Sequence, residues 1–138
     1  MVEIRKIKFF INYEDSFRTN IKGEEYIILY LKIYNQNDFD LKKITIYSVP
    51  LYELRNNIFM YYDNEMGKIP YILGAVSLVS NAFGVEPIKV DKKDNETGAL
   101  IFKIPNSECK IEELILNYQT IQKKCKVDNE KIISRKID

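Results

Sequence analysis

Cys109 and Cys125 are the two thiols of a chain that contains no histidine. Without imidazole there is no Ser-His or Cys-His nucleophile pair, no commonest general base and no nitrogen ligand for zinc. Two thiols are also too few for a thiolate zinc site or a disulfide-rich scaffold. They read as reduced cysteines of a small intracellular domain, or alternatively as one disulfide tying the C-terminal tail to the preceding loop. The disulfide needs an oxidising compartment or a hyperthermophilic host. For the two to approach, the tail must double back at a turn near Thr120, because the strand from Glu112 to Gln119 carries the chain roughly 25 Å away.

Carboxylates are the remaining catalytic type, since paired Asp or Glu residues hydrolyse glycosides without histidine. Asp63, Glu65, Asp91 and Asp94 fall near predicted loops, yet among 20 acidic residues such positions read first as solvated surface. The DNE and DNET stretches lack the regular alternation of oxygen ligands of a calcium loop. The five glycines are spaced far apart, leaving no GxGxxG fingerprint and no phosphate-cradling loop. These absences point away from catalysis, and no cofactor or metal is expected.

Recognition is the better use of what remains. Ten tyrosines offer large, rigid surfaces with polar tips. Tyr61 and Tyr62 are neighbours that point to opposite faces of a regular strand, so one of them is a candidate binding residue. From Thr120 onward, Lys123, Lys124, Lys126, Lys131, Arg135 and Lys136 outnumber Asp128, Glu130 and Asp138, which could touch phosphates. The plainer reading is a solvated, frayed basic tail spanning 120–138.

The elements that must position these residues are mostly strands. Ile7, Phe9, Ile11 and Tyr13 alternate with Lys8, Phe10 and Asn12, the period of two of a half-buried strand running from about Val2 to Tyr13, with an irregularity near Arg5 and Lys6. Ser16 to Glu24 is polar and reads as a connection. In EEYIILYLKIYNQND both faces are apolar, which predicts a central strand. LKKITIYSV makes a third strand, ended by Pro50. LYEL and NIFMYYD flank Arg55 and Asn56 closely enough for a hairpin. EPIKVD, TGALIFKIP and EELILNYQ follow, giving about seven strands and an all-β fold, a sandwich or barrel. With 138 residues one core suffices, so 1–119 is expected to be a single sandwich domain.

Pro70 to Phe83 breaks the β pattern. Ile72, Val76, Val79 and Phe83 recur at helical spacing, with Pro70 suited to the first turn and Gly84 to the end. This predicts a short inserted helix packed across an open end or edge of the sandwich, or docked on a partner. Val76, Val79 and Phe83 are accordingly candidate binding residues.

The order of these segments resembles a family of immunoglobulin-like domains of unknown function in secreted bacterial and archaeal lipoproteins. EEYIILYLKIYNQND is similar to the family's long apolar strand and Asn-containing turn. LYELRNNIFMYY is similar to its strand, tight turn and strand, and TGALIFKIPNSE to its Gly, apolar strand, Phe and Pro ending. The resemblance covers about Glu24 to Tyr62 and Glu86 to Tyr118. It implies an immunoglobulin-like sandwich and no catalytic residues. The chain departs from the family in lacking a lipoprotein signal, in the segment from Pro70 to Phe83, and in having KKDNE where a Pro-Gly turn is common.

Net charge is +1, which gives no global field toward nucleic acid or an acidic membrane. No run of about 18 apolar residues is present, so no transmembrane segment is expected. The compartment stays open: intracellular or virion-associated if Met1 is the true start, extracellular if the chain is trimmed. The expected role is a non-enzymatic interaction or structural domain with a protein partner or self-association. The rivals are a nucleic-acid-binding protein using the basic tail and exposed tyrosines, and a carboxylate-dependent glycan hydrolase.

Overall fold

The computed structural model describes residues 6–59 and 88–136. Nine strands are found among them: β1 (Ile7–Ile21), β2 (Glu24–Asn35), β3 (Leu41–Val49), β4 (Glu53–Phe59), β5 (Ile88–Val90), β6 (Asn95–Ile104), β7 (Glu113–Tyr118), β8 (Ile121–Lys126) and β9 (Ile133–Ser134). They form a five-stranded sheet in the order β4-β6-β2-β1-β9 and a four-stranded sheet in the order β5-β3-β7-β8. The two sheets pack face to face, so the fold is an all-β sandwich, and no helix of seven or more residues lies among the described residues. The expected helix from Pro70 to Phe83 lies outside them.

The alternation of Ile7 and Ile11 with Lys8 and Phe10 places the isoleucines in the interior and the other two on the outer face. β2 is the third of five strands and buries both faces, as its composition requires. Ile27, Leu29, Leu31 and Ile33 meet Leu41, Ile44, Ile46, Leu114 and Leu116 in the core between the sheets. Tyr26, Ile28 and Tyr30 form a second buried layer on the opposite face, in register with Phe17 of β1 and Ile101 of β6. Each large aliphatic side chain taken from water contributes about 1.5–3 kcal/mol, so this doubly apolar strand anchors the fold.

Several sequence expectations are corrected. The strand read as ending at Tyr13 continues to Ile21 through an irregularity between Asn12 and Phe17, and Ser16 to Ile21, read as a connection, belongs to it. Ser16 makes this continuation workable: it is buried, its hydroxyl donates to Asn12 O at 2.7 Å and accepts from Tyr30 N at 3.0 Å. The backbone groups that the irregularity would orphan are thereby satisfied. The reversal itself falls at Lys22 and Gly23, both at positive φ. There is also no hairpin at Arg55 and Asn56. β4 runs straight through them, with Leu54 opposite Phe102 and Asn56 opposite Ile101, so Arg55 is the extra residue of a β-bulge.

The segment after Gln119, read as a frayed basic tail, is built into both sheets. β8 turns back along β7, with Cys125 opposite Leu114, and β9 lies parallel to β1 at Phe17 and Arg18. The link between them is pinned by Asn129, whose amide donates to Ile111 O at 2.7 Å and whose Oδ1 accepts from Ile111 N at 3.2 Å. Val127 and Ile132 on either side are buried.

Candidate functional site: an open strand edge and its aromatic flank

Tyr61, Tyr62, Val76, Val79 and Phe83 lie outside the described residues, as do Asp63 and Glu65. Cys109 and Cys125 carry free thiols, and burial pushes the Cys125 thiol up. The doubling back near Thr120 is present as the β7–β8 hairpin, with no bond between the sulfurs. Asp91 and Asp94 sit on the exposed turn between β5 and β6. There Asp94 Oδ1 accepts from Asn95 N at 2.8 Å and Asp91 pairs with Lys89 at 3.5 Å. Among the described residues no three His, Cys, Asp or Glu side chains converge as metal ligands.

The cations after Gln119 do not share one face. Lys123, Lys124 and Lys126 belong to β8, the outer strand of the four-stranded sheet. Lys131 lies 4.0 Å from Asp128 and 5.4 Å above the Tyr13 ring. Arg135 and Lys136 stand at the end of β1, with the Arg135 guanidinium 5.4 Å from the Phe17 ring centre.

What the strands do assemble is an open edge. Ile7 lies opposite Asn35, and one step earlier Lys6 O accepts from Gln36 N at 2.9 Å. In an antiparallel ladder the residues that exchange hydrogen bonds alternate with those that do not. Lys8 and Phe10 therefore bond β2, whereas Ile7, Phe9 and Ile11 turn their N–H and C=O groups to the other side. On that side β9 covers only Phe17 and Arg18. The run from Ile7 to Ile11 is thus unpaired on its outer edge among the described residues.

An aromatic surface flanks this edge. Phe10 is 48% exposed and stacks on Tyr34 of β2, ring centres 5.9 Å apart at 29°. Lys32 Nζ lies 5.2 Å over the Tyr34 ring, and exposed Lys8 is opposite Tyr34 in register. The sequence carries the signal for this patch, because Phe10 is an aromatic residue on the otherwise polar face of a strand. The open edge has no such signal, since it depends on how little of β1 the two residues of β9 cover. Comparison with known proteins returns no matching family model, no similar curated protein and no similar solved structure.

Proposed function

We propose that this chain is a non-enzymatic interaction domain, immunoglobulin-like in plan, that takes an extended segment of a protein partner onto the edge of β1. The observation that carries the reading is the run from Ile7 to Ile11, unpaired among the described residues, beside the exposed Phe10. Such an edge is a template for strand addition, in which main-chain bonds supply affinity and flanking side chains supply specificity. The outer strand of the other sheet supports the contrast. β8 is guarded by Lys123, Lys124 and Lys126, the usual protection against unwanted pairing, while the run on β1 carries Lys8 alone. The order of strands in two sheets, antiparallel but for the β1–β9 pair, supports the immunoglobulin-like plan. The division of the C-terminal cations between separate edges weighs against a continuous nucleic-acid track.

The test is a peptide-display selection followed by amide hydrogen exchange. In the free protein the amides of Ile7, Phe9 and Ile11 exchange fast while those of Lys8 and Phe10 are protected. Selected peptides should slow the first three, and Phe10→Asp should weaken their binding by about tenfold, the cost of losing one apolar anchor. Protection of Ile7, Phe9 and Ile11 in the free protein, or selected peptides that protect another edge, would overturn the reading.

A further inference from the structure

We infer that the hollow between the end of β1, β9 and the β6–β7 loop is a binding site for a phosphate monoester carried on a small molecule. The hollow encloses about 320 Å³, at the small end of ligand pockets. Its wall brings together Arg18, Arg135 and Lys136 with the hydroxyl residues Ser107, Ser134 and Thr19. This grouping is made by the fold. β9 runs beside Phe17 and Arg18, and Arg135 N donates to Arg18 O at 2.8 Å, which fixes Ser134, Arg135 and Lys136 against the end of β1.

Two of the cations are held in place before any ligand arrives. Arg18 Nη1 donates to Ser107 O at 3.2 Å and Nη2 to Asn129 Oδ1 at 3.4 Å, while the Arg135 guanidinium rests over the Phe17 ring. A guanidinium has five N–H donors, so two bonds leave Arg18 donors to spare, and its planar fork matches oxyanion geometry. Among the described residues Glu25 is the single carboxylate in the wall, and it already accepts from Asn20 Nδ2 at 2.7 Å. Three cations against one occupied carboxylate select an anion. The doubly charged, three-oxygen head of a monoester uses this donor set more fully than a carboxylate or a singly charged diester.

The site is independent of the β1 edge, and it is tested on the full chain by NMR titration with inorganic phosphate and phenyl phosphate, at constant ionic strength. The expected result is saturable shifts at the amides of Arg18, Ser107, Ser134 and Arg135. Arg135→Gln should raise Kd at least about tenfold, the loss of one charge-assisted contact, while Lys124→Gln on β8, outside the wall, leaves it unchanged. Because Arg135 and Lys136 are exposed, Lys136→Gln provides a second variant that keeps the fold, and it too should weaken binding. Shifts that never saturate, equal shifts with acetate, or an unchanged Kd in both variants would overturn the assignment. So would equal competition by an oligonucleotide with and without a terminal phosphate, because the site would then be reading diesters.

Discussion

Asn35 is buried at the end of β2, where its amide nitrogen lies within bonding distance of Phe39 O, Val90 O and Asp91 O, while Oδ1 accepts from Asn37 N and Nδ2. One side chain thus ties the five-stranded sheet to the chain entering and leaving the other. The Asn-containing turn was legible in the sequence, but its cross-sheet role was not, because two of the three carbonyls, those of Val90 and Asp91, come from residues distant in sequence. Nearby, Glu96 of β6 lies opposite Ile33, and its carboxyl is raised above the usual range, first by burial and then by Asp94 and Asp91. The folded state therefore holds that proton more tightly than the unfolded chain does. The stability this gives is present at low pH and lost as pH rises through the folded pKa. Glu96→Gln should raise Tm at about pH 7 and leave it unchanged near about pH 3, where a free glutamate is also protonated. Thermal melts of both proteins at the two pH values check this, and an equal gain at both would contradict it. Ser16 and Asn129 fit the same pattern as Asn35: short polar side chains stand where the ladder breaks, and only the folded register reveals which backbone groups they serve.

At the level of elements, the long apolar runs were readable and the interruptions were not. The period of two in Ile7 to Tyr13 and the doubly apolar β2 correspond to the observed strands, because burial of alternating side chains is what fixes their register. The boundaries failed at β1 and β4, where an irregularity or a bulge lets polar residues continue a strand. Ser16 to Ile21 looked like a loop, and Arg55-Asn56 like a turn, because single-chain patterns cannot separate a bulge from a reversal. β8 was concealed for another reason. IQKKCK carries the charge of a surface tail, yet an outer strand needs such lysines, and its Ile121 and Cys125 pack on the core while Lys124 and Lys126 face water. Replacing Lys124 and Lys126 together by Val should leave monomer stability within about 1 kcal/mol, since both are exposed surface positions, and should increase concentration-dependent association. Light scattering against the parent protein measures it, and unchanged scattering would show that the lysines do not guard this edge.

For the molecule as a whole, the two sheets are closed by the last strands rather than merely followed by them. Cutting the chain after Lys126 removes the buried Val127 and Ile132, the two Asn129 bonds to Ile111 and the β9 pairing. The expected loss is about 4–8 kcal/mol, a large share of the 5–15 kcal/mol typical of a domain. Urea unfolding should show it, and a loss under about 1 kcal/mol would return 127–138 to the status of a tail. Composition foretold the all-β sandwich but not this closure, because β9 is only two residues long and leaves no periodic trace. The closure also has a history in time. Asp128 N donates to Tyr13 Oη across 115 residues of sequence. At the usual pace of synthesis, roughly 5–20 residues per second, Tyr13 waits about 6–23 s for that partner to be made. Through that interval Phe17 and Arg18 of the nascent chain lack the strand that pairs with them in the finished domain, so the outer side of β1 is most open while the polypeptide is still growing.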